Sequence, residues 1–109
     1  MNLPFPKDLW GDYQIETWTR QQREWFEIWL MGIAFSLLFA DQLVGDRVTK
    51  KVQEVINLAK ANEITAEDAI SLVRPKQIFS VEELEVIENN AEKFGTKLGM
   101  FRINAKMVN

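Results

Sequence analysis

The sequence predicts an all-α fold: a small four-helix bundle-like domain around one long, largely buried first helix. Three observations predict it. The segment 25–44, WFEIWLMGIAFSLLFADQLV, contains an apolar run over 29–40 that no other stretch matches. Three later segments carry apolar residues at helical spacing, each opened by a capping residue. The composition, 47% hydrophobic with 27% charged, is that of a globular chain rather than a disordered one. At 109 residues the chain is read as a single helical domain, 1–109, with an extended N-terminal arm at 1–12 and a C-terminal tail at 99–109.

The arm holds Pro4 and Pro6, followed by Asp8, Trp10 and Gly11. Pro fixes φ and lacks an amide donor, so the arm is expected to be extended, with Asp12 as the N-cap of the first helix. The first helix is expected over 13–44, in two unlike halves. In the first, Ile15, Trp18, Trp25, Phe26 and Trp29 share one side. Glu16, Arg20, Arg23, Glu24 and Glu27 share the other, with opposite charges four residues apart. The three tryptophans are expected in the core. In the second half Met31, Ala34 and Leu38 take over the charged side, so this half is apolar all round. Gly45 is the expected stop.

A second helix is expected over 46–61 behind the cap Asp46, with Val48, Val52, Val55, Ile56 and Ala59 as its buried stripe. A third opens at the cap Thr65 and stops before Pro75, burying Ala66, Ala69, Ile70 and Val73. PKQIF reads as a linker. Ser80 and Glu83 then form a capping box opening a fourth helix. Its Leu84, Ile87, Ala91, Phe94 and Leu98 alternate three and four apart, a narrow seam of coiled-coil type. Gly95 and Gly99 weaken its end, and the tail is left as a frayed turn, a short strand or an unstructured end.

A helix apolar on every side must be covered on every side. A bilayer is one cover, but twelve residues over 29–40 rise only about 18 Å against a hydrocarbon core of about 30 Å. Extending the run to twenty residues brings in Glu27 and Asp41, both costly in lipid, although the flanking tryptophans resemble an interfacial belt. The other covers are the rest of the chain and a second protein molecule.

Chemistry is constrained by what is missing. The chain has no histidine and no cysteine. This removes the commonest general base and metal ligand, together with disulfide and thiolate chemistry. Glu82, Glu85 and Glu88 sit three apart, but a carboxylate-bridged metal bundle normally adds a Glu-x-x-His. The five glycines form no phosphate-binding loop. No nucleophile is placed beside a base. The sequence therefore predicts no enzyme, no cofactor, no metal and no small-molecule substrate.

A net charge of −3 and a pI near 5.0 argue against nucleic acid as a partner. One segment still resembles a helix-turn-helix, around 48–74, with Ala59, Ile64 and Leu72 in apolar positions. Glu63 holds the usual turn glycine's place, and Glu67 and Asp68 occupy the first turn of the would-be recognition helix. Charge is also uneven. Eight acids meet two bases over 62–92, and four bases with no acid follow from Lys93 onward. The acidic stretch is either a solvated face or a surface that meets a basic partner.

The functional expectation is a non-catalytic protein-binding accessory protein of adaptor or inhibitor type. Self-association through Met31, Ala34, Phe35 and Leu38, with Trp10 as a further anchor, is the expected contact. The partner is protein, either a second copy or a different chain. The alternatives are a DNA-binding regulator and a membrane-associated small protein. The start of the chain lacks a basic segment followed by an apolar one, so no signal peptide is expected and the location expected is cytoplasmic.

Overall fold

The first helix begins where a side chain can satisfy its free amides. In the computed structural model, which describes residues 18–107, Thr19 is extended and its hydroxyl accepts from the Gln22 amide at 3.2 Å. The Gln22 side chain accepts from the Thr19 amide in return at 2.9 Å. This reciprocal box starts α1 (Arg20–Leu38). The described helix therefore starts at Arg20, after the non-helical Trp18 and Thr19, and the expected helical residues 13–17, the proposed cap Asp12 and the arm 1–12 lie outside the described residues.

The expected single helix over 13–44 is two helices. Ala40 takes a φ of 51°, outside the range a helix tolerates. Asp41 becomes the N-cap of α2 (Gln42–Lys60), its carboxylate accepting from the Val44 amide at 3.4 Å. So Asp41, not Asp46, caps the second helix, and Gly45 is no stop but an interior residue of α2. The chain doubles back, and α1 and α2 form the largest packed pair of the fold.

Small residues allow them to approach closely. A Cβ placed on Gly32 would stand 2.7 Å from the Val48 side chain, and one on Gly45 would stand 3.0 Å from Cβ of Ser36. The pairs Gly32–Val48 and Ser36–Gly45 lie four residues apart on α1 and three apart on α2, the register of an antiparallel hairpin.

Four shorter elements close around it: α3 (Ala66–Leu72), α4 (Pro75–Ile78), α5 (Val81–Asn89) and α6 (Ala91–Met107). Thr65 caps α3 and the Ser80–Glu83 box opens α5, as the sequence predicts. Ala69, Ile70 and Val73 are buried, whereas Ala66 is exposed at the first turn of α3. PKQIF is not an open linker: Pro75 occupies the first position of the one-turn α4, where its missing amide costs nothing.

The seam expected from Leu84 to Leu98 is interrupted. Asn90 leaves helical geometry, its side chain donating to the Val86 carbonyl at 2.8 Å. The helix that follows continues through Gly95 and Gly99 to Met107, so residues 99–107 of the expected tail are helical.

The core lies between α1, α2 and α6. Trp18, Trp25 and Trp29 are buried in it, as expected, with Trp18 edge-on to Phe26 at 5.2 Å. Val48, Val52, Val55 and Ile56 face them from α2, and Phe94, Leu98 and Phe101 from α6. Phe79, leaving α4, stacks toward Phe35 at 6.0 Å. Burying each large side chain contributes about 1.5–3 kcal/mol, which is why the apolar run of α1 sits at the centre.

Candidate protein-interaction surface

The residues expected to form an interface divide sharply. Ala34 and Phe35 are 0% and 4% exposed and belong to the chain's own core. They leave no surface for a partner. α2 and Phe79 cover the side of α1 that the sequence left unassigned, because the hairpin puts a second helix there. Met31 and Leu38 are half-buried and pack on the core's edge. Trp10 lies outside the described residues.

Apart from Val81 and Val86 on α5 and Ile103 on α6, the exposed large apolar side chains among the described residues collect at two places. One is the α1–α2 turn, where Leu37 is 56% and Leu43 80% exposed. The turn is built by the break at Ala40, which carries Leu43 past the end of α1 instead of into the core. The Ser36 hydroxyl donates to the Gln42 side chain at 3.2 Å across the turn. Gln42 in turn donates to Asp46 at 3.3 Å, so the turn is tied by polar side chains while its leucines face solvent.

The other is a groove of about 460 Å³ beside it, lined by Leu38 of α1 and by Glu92, Lys93, Thr96, Lys97 and Met100 of α6. Helical spacing explains the lining. Phe94, Leu98 and Phe101 turn inward, which leaves 93, 96, 97 and 100 on the flank that meets the end of α1. Met100 is 44% exposed and shares the floor with Leu38. The Thr96 hydroxyl is spent on the Glu92 carbonyl at 3.0 Å. Lys93 and Lys97 stand on the rim, and neither enters an ion pair among the described residues. An apolar floor with ammonium groups along one edge suits an apolar side chain flanked by carboxylates.

Of the two ion pairs found among the described residues, one joins the helices that line the groove and the other lies away from it. Arg102 grips Glu27 with both ends of its guanidinium, at 2.7–3.1 Å, and clamps α6 antiparallel along α1. Arg47 of α2 donates to the Ile78 carbonyl at 3.0 Å and to Glu83 at 2.6 Å, tying α4 and α5 to the hairpin. Burial raises the affinity of Glu83 for its proton. The hydrogen bond and charge of Arg47, with the amide and hydroxyl of Ser80, outweigh that and hold its pKa below the ordinary value of 4.5.

Sequence reasoning named Leu38 but missed Met100, Lys93 and Lys97. The available signal was the excess of bases after Lys93 combined with the inward set Phe94, Leu98 and Phe101. Reading it required continuing the helix past Gly95 and Gly99.

Among the described residues no group of three or more carboxylates gathers as a metal site. No described helix is long and apolar enough to cross a membrane. In the segment that resembles a helix-turn-helix, Glu67 and Asp68 are exposed in the first turn of the seven-residue α3. Set against protein-family models, curated proteins and solved structures, the chain matches none.

Proposed function

We propose that this chain is a protein-binding module that self-associates through the surface where the end of α1 meets α6. The single observation that carries the reading is the groove itself: Leu38 and Met100 lie open between two clamped helices, with two unpaired lysines on the rim. Interfaces are built from such an apolar centre with a polar edge, and a methionine adapts its shape to what it meets. Leu37 and Leu43 extend the apolar area at the turn. The contact is narrower than the sequence suggests. It uses Leu38 and omits Ala34 and Phe35.

The test is solution mass by light scattering over a concentration series, for the natural chain and for Met100→Glu. Met100 is exposed, so its replacement leaves the fold intact. A carboxylate in the floor of an interface is expected to cost about 2 kcal/mol, roughly thirtyfold in affinity. The natural chain should form dimers or larger species and the variant should remain monomeric at the same concentrations. A natural chain that is monomeric throughout refutes self-association. Leu38→Glu tests the same floor from α1, with thermal unfolding recorded beside it because Leu38 also packs on the core.

A further inference from the structure

The groove needs an occupant with apolar side chains set among carboxylates, and the chain itself displays one. Helix α5 has no buried residue. Leu84 and Ile87 rest half-buried on the core, and Glu83 is engaged by Arg47 and by the cap at Ser80. The rest of α5 faces solvent: Glu82, Glu85 and Glu88, with Val81 69% and Val86 37% exposed among them. None of the three carboxylates enters an ion pair among the described residues.

We propose that the acidic face of α5 in one copy occupies the groove of Leu38 and Met100 in another, so that the chain associates head to tail. The proposal rests on the reading of that groove as a self-association site and names what fills it. Charge complementarity is the argument. Glu82 and Glu85 lie three apart on one helix face, Lys93 and Lys97 four apart on another. Two such helices laid side by side bring carboxylates and ammonium groups together within one turn, about 5.4 Å. The acidic face of α5 and the groove are both open to solvent in a single chain, so they do not satisfy each other there. A symmetric contact of groove on groove would offer Lys93 and Lys97 only the one carboxylate of Glu92 from each copy, against the three that α5 presents. A head-to-tail contact uses two different surfaces of one chain, so it grows into rings or open arrays rather than closing as a dimer.

The experiment uses the full chain and two variants, Lys93→Glu with Lys97→Glu, and Glu82→Lys with Glu85→Lys. Glu82, Glu85 and Lys93 are exposed and Lys97 is half-buried, so circular dichroism with thermal unfolding is recorded to establish that both variants fold. Solution mass is then measured for each protein alone and for an equal mixture, at low and high salt. The natural chain should grow in mass with concentration, with affinity falling by about tenfold or more at high salt. Each variant alone should be monomeric, because one has lost the groove and the other its occupant. Their mixture should regain association, because the face of α5 on each variant then meets a groove of opposite charge on the other. Mixed variants that stay monomeric while the natural chain associates overturn the assignment of α5 and leave self-association standing. Variants that associate alone as the natural chain does overturn it as well. A natural chain that is monomeric throughout refutes both, as when residues 1–17 of the same chain or a different protein fill the groove.

Discussion

At the scale of single residues, two glycine environments make opposite predictions for one substitution. Gly32 faces Val48 so closely that an added Cβ would stand 2.7 Å from it, and the obstructing atoms are the branched end of a short, stiff side chain. Gly32→Ala is expected to destabilise the protein by about 1–3 kcal/mol, because over-packing outweighs the helical preference of alanine. Gly95 and Gly99 have nothing within 4 Å of that position. Alanine at either is expected to stabilise by about 0.5–1 kcal/mol, through the freedom it removes from the unfolded chain. Chemical denaturation of the three variants checks both signs. The distinction was not legible beforehand. All three glycines sit in apolar or amphipathic helical stretches, and only a partner helix distinguishes an essential gap from an idle one.

At the scale of elements, helix starts were more legible than helix interruptions. Thr65 and the Ser80–Glu83 box act where the sequence places them, because a cap is a local contact between a side chain and amides two or three residues away. The break at Ala40 was hidden because the apolar run 29–40 keeps helical spacing right up to it, and alanine favours helix. Its cause is tertiary: packing α2 antiparallel on α1 buries Val44, Val48, Val52 and Ile56, which a continuous helix would have carried away from the core. Ala40 thereby bears a left-handed φ of 51°. Ala40→Gly relieves that strain and is expected to raise stability by about 1 kcal/mol, seen as a rise of about 4–8 °C in unfolding temperature. No change, or a fall, would mean that the turn at Ala40 is unstrained. The interruption at Asn90 was hidden for the same reason, since Leu84, Ile87, Phe94 and Leu98 stay in phase across it.

At the scale of the whole molecule, charge is divided along the chain and reunited by the fold. Arg47 links α2 to both α4 and α5 by hydrogen bonds to the Ile78 carbonyl and to Glu83. This gives stability a pH dependence with a definite sign. The proton affinity of Glu83 is lowered in the folded state, so its contribution is complete above the ordinary pKa of 4.5 and is lost as pH falls through the lower, folded value. Glu83→Gln keeps an acceptor for the Ser80 amide but removes the charge facing Arg47. It is expected to cost about 1 kcal/mol at neutral pH. The difference from the natural chain should narrow as pH falls below 4.5. Thermal unfolding between neutral and acid pH measures it, and a constant difference would mean that the charge contributes nothing. The core was legible at this scale, since the tryptophans and the valine stripe of α2 are buried as expected. The groove was legible only in part. Leu38 is visible as an apolar residue on a formerly charged face, but its companions belong to a helix more than fifty residues away in sequence, and pairings of that distance leave no periodic trace.

The clamp between Glu27 and Arg102 joins positions 75 residues apart, and it sets an order of events during synthesis. α1 emerges from the ribosome before α6 and its second half is apolar on every side, yet Phe94, Leu98 and Phe101, which close over it, are made last among the core residues. Until α6 has cleared the exit tunnel, the hairpin of α1 and α2 stands with one flank bare. The nascent chain therefore passes through a stage in which its stickiest helix is exposed, and the final turns of α6 act as the lid that ends it.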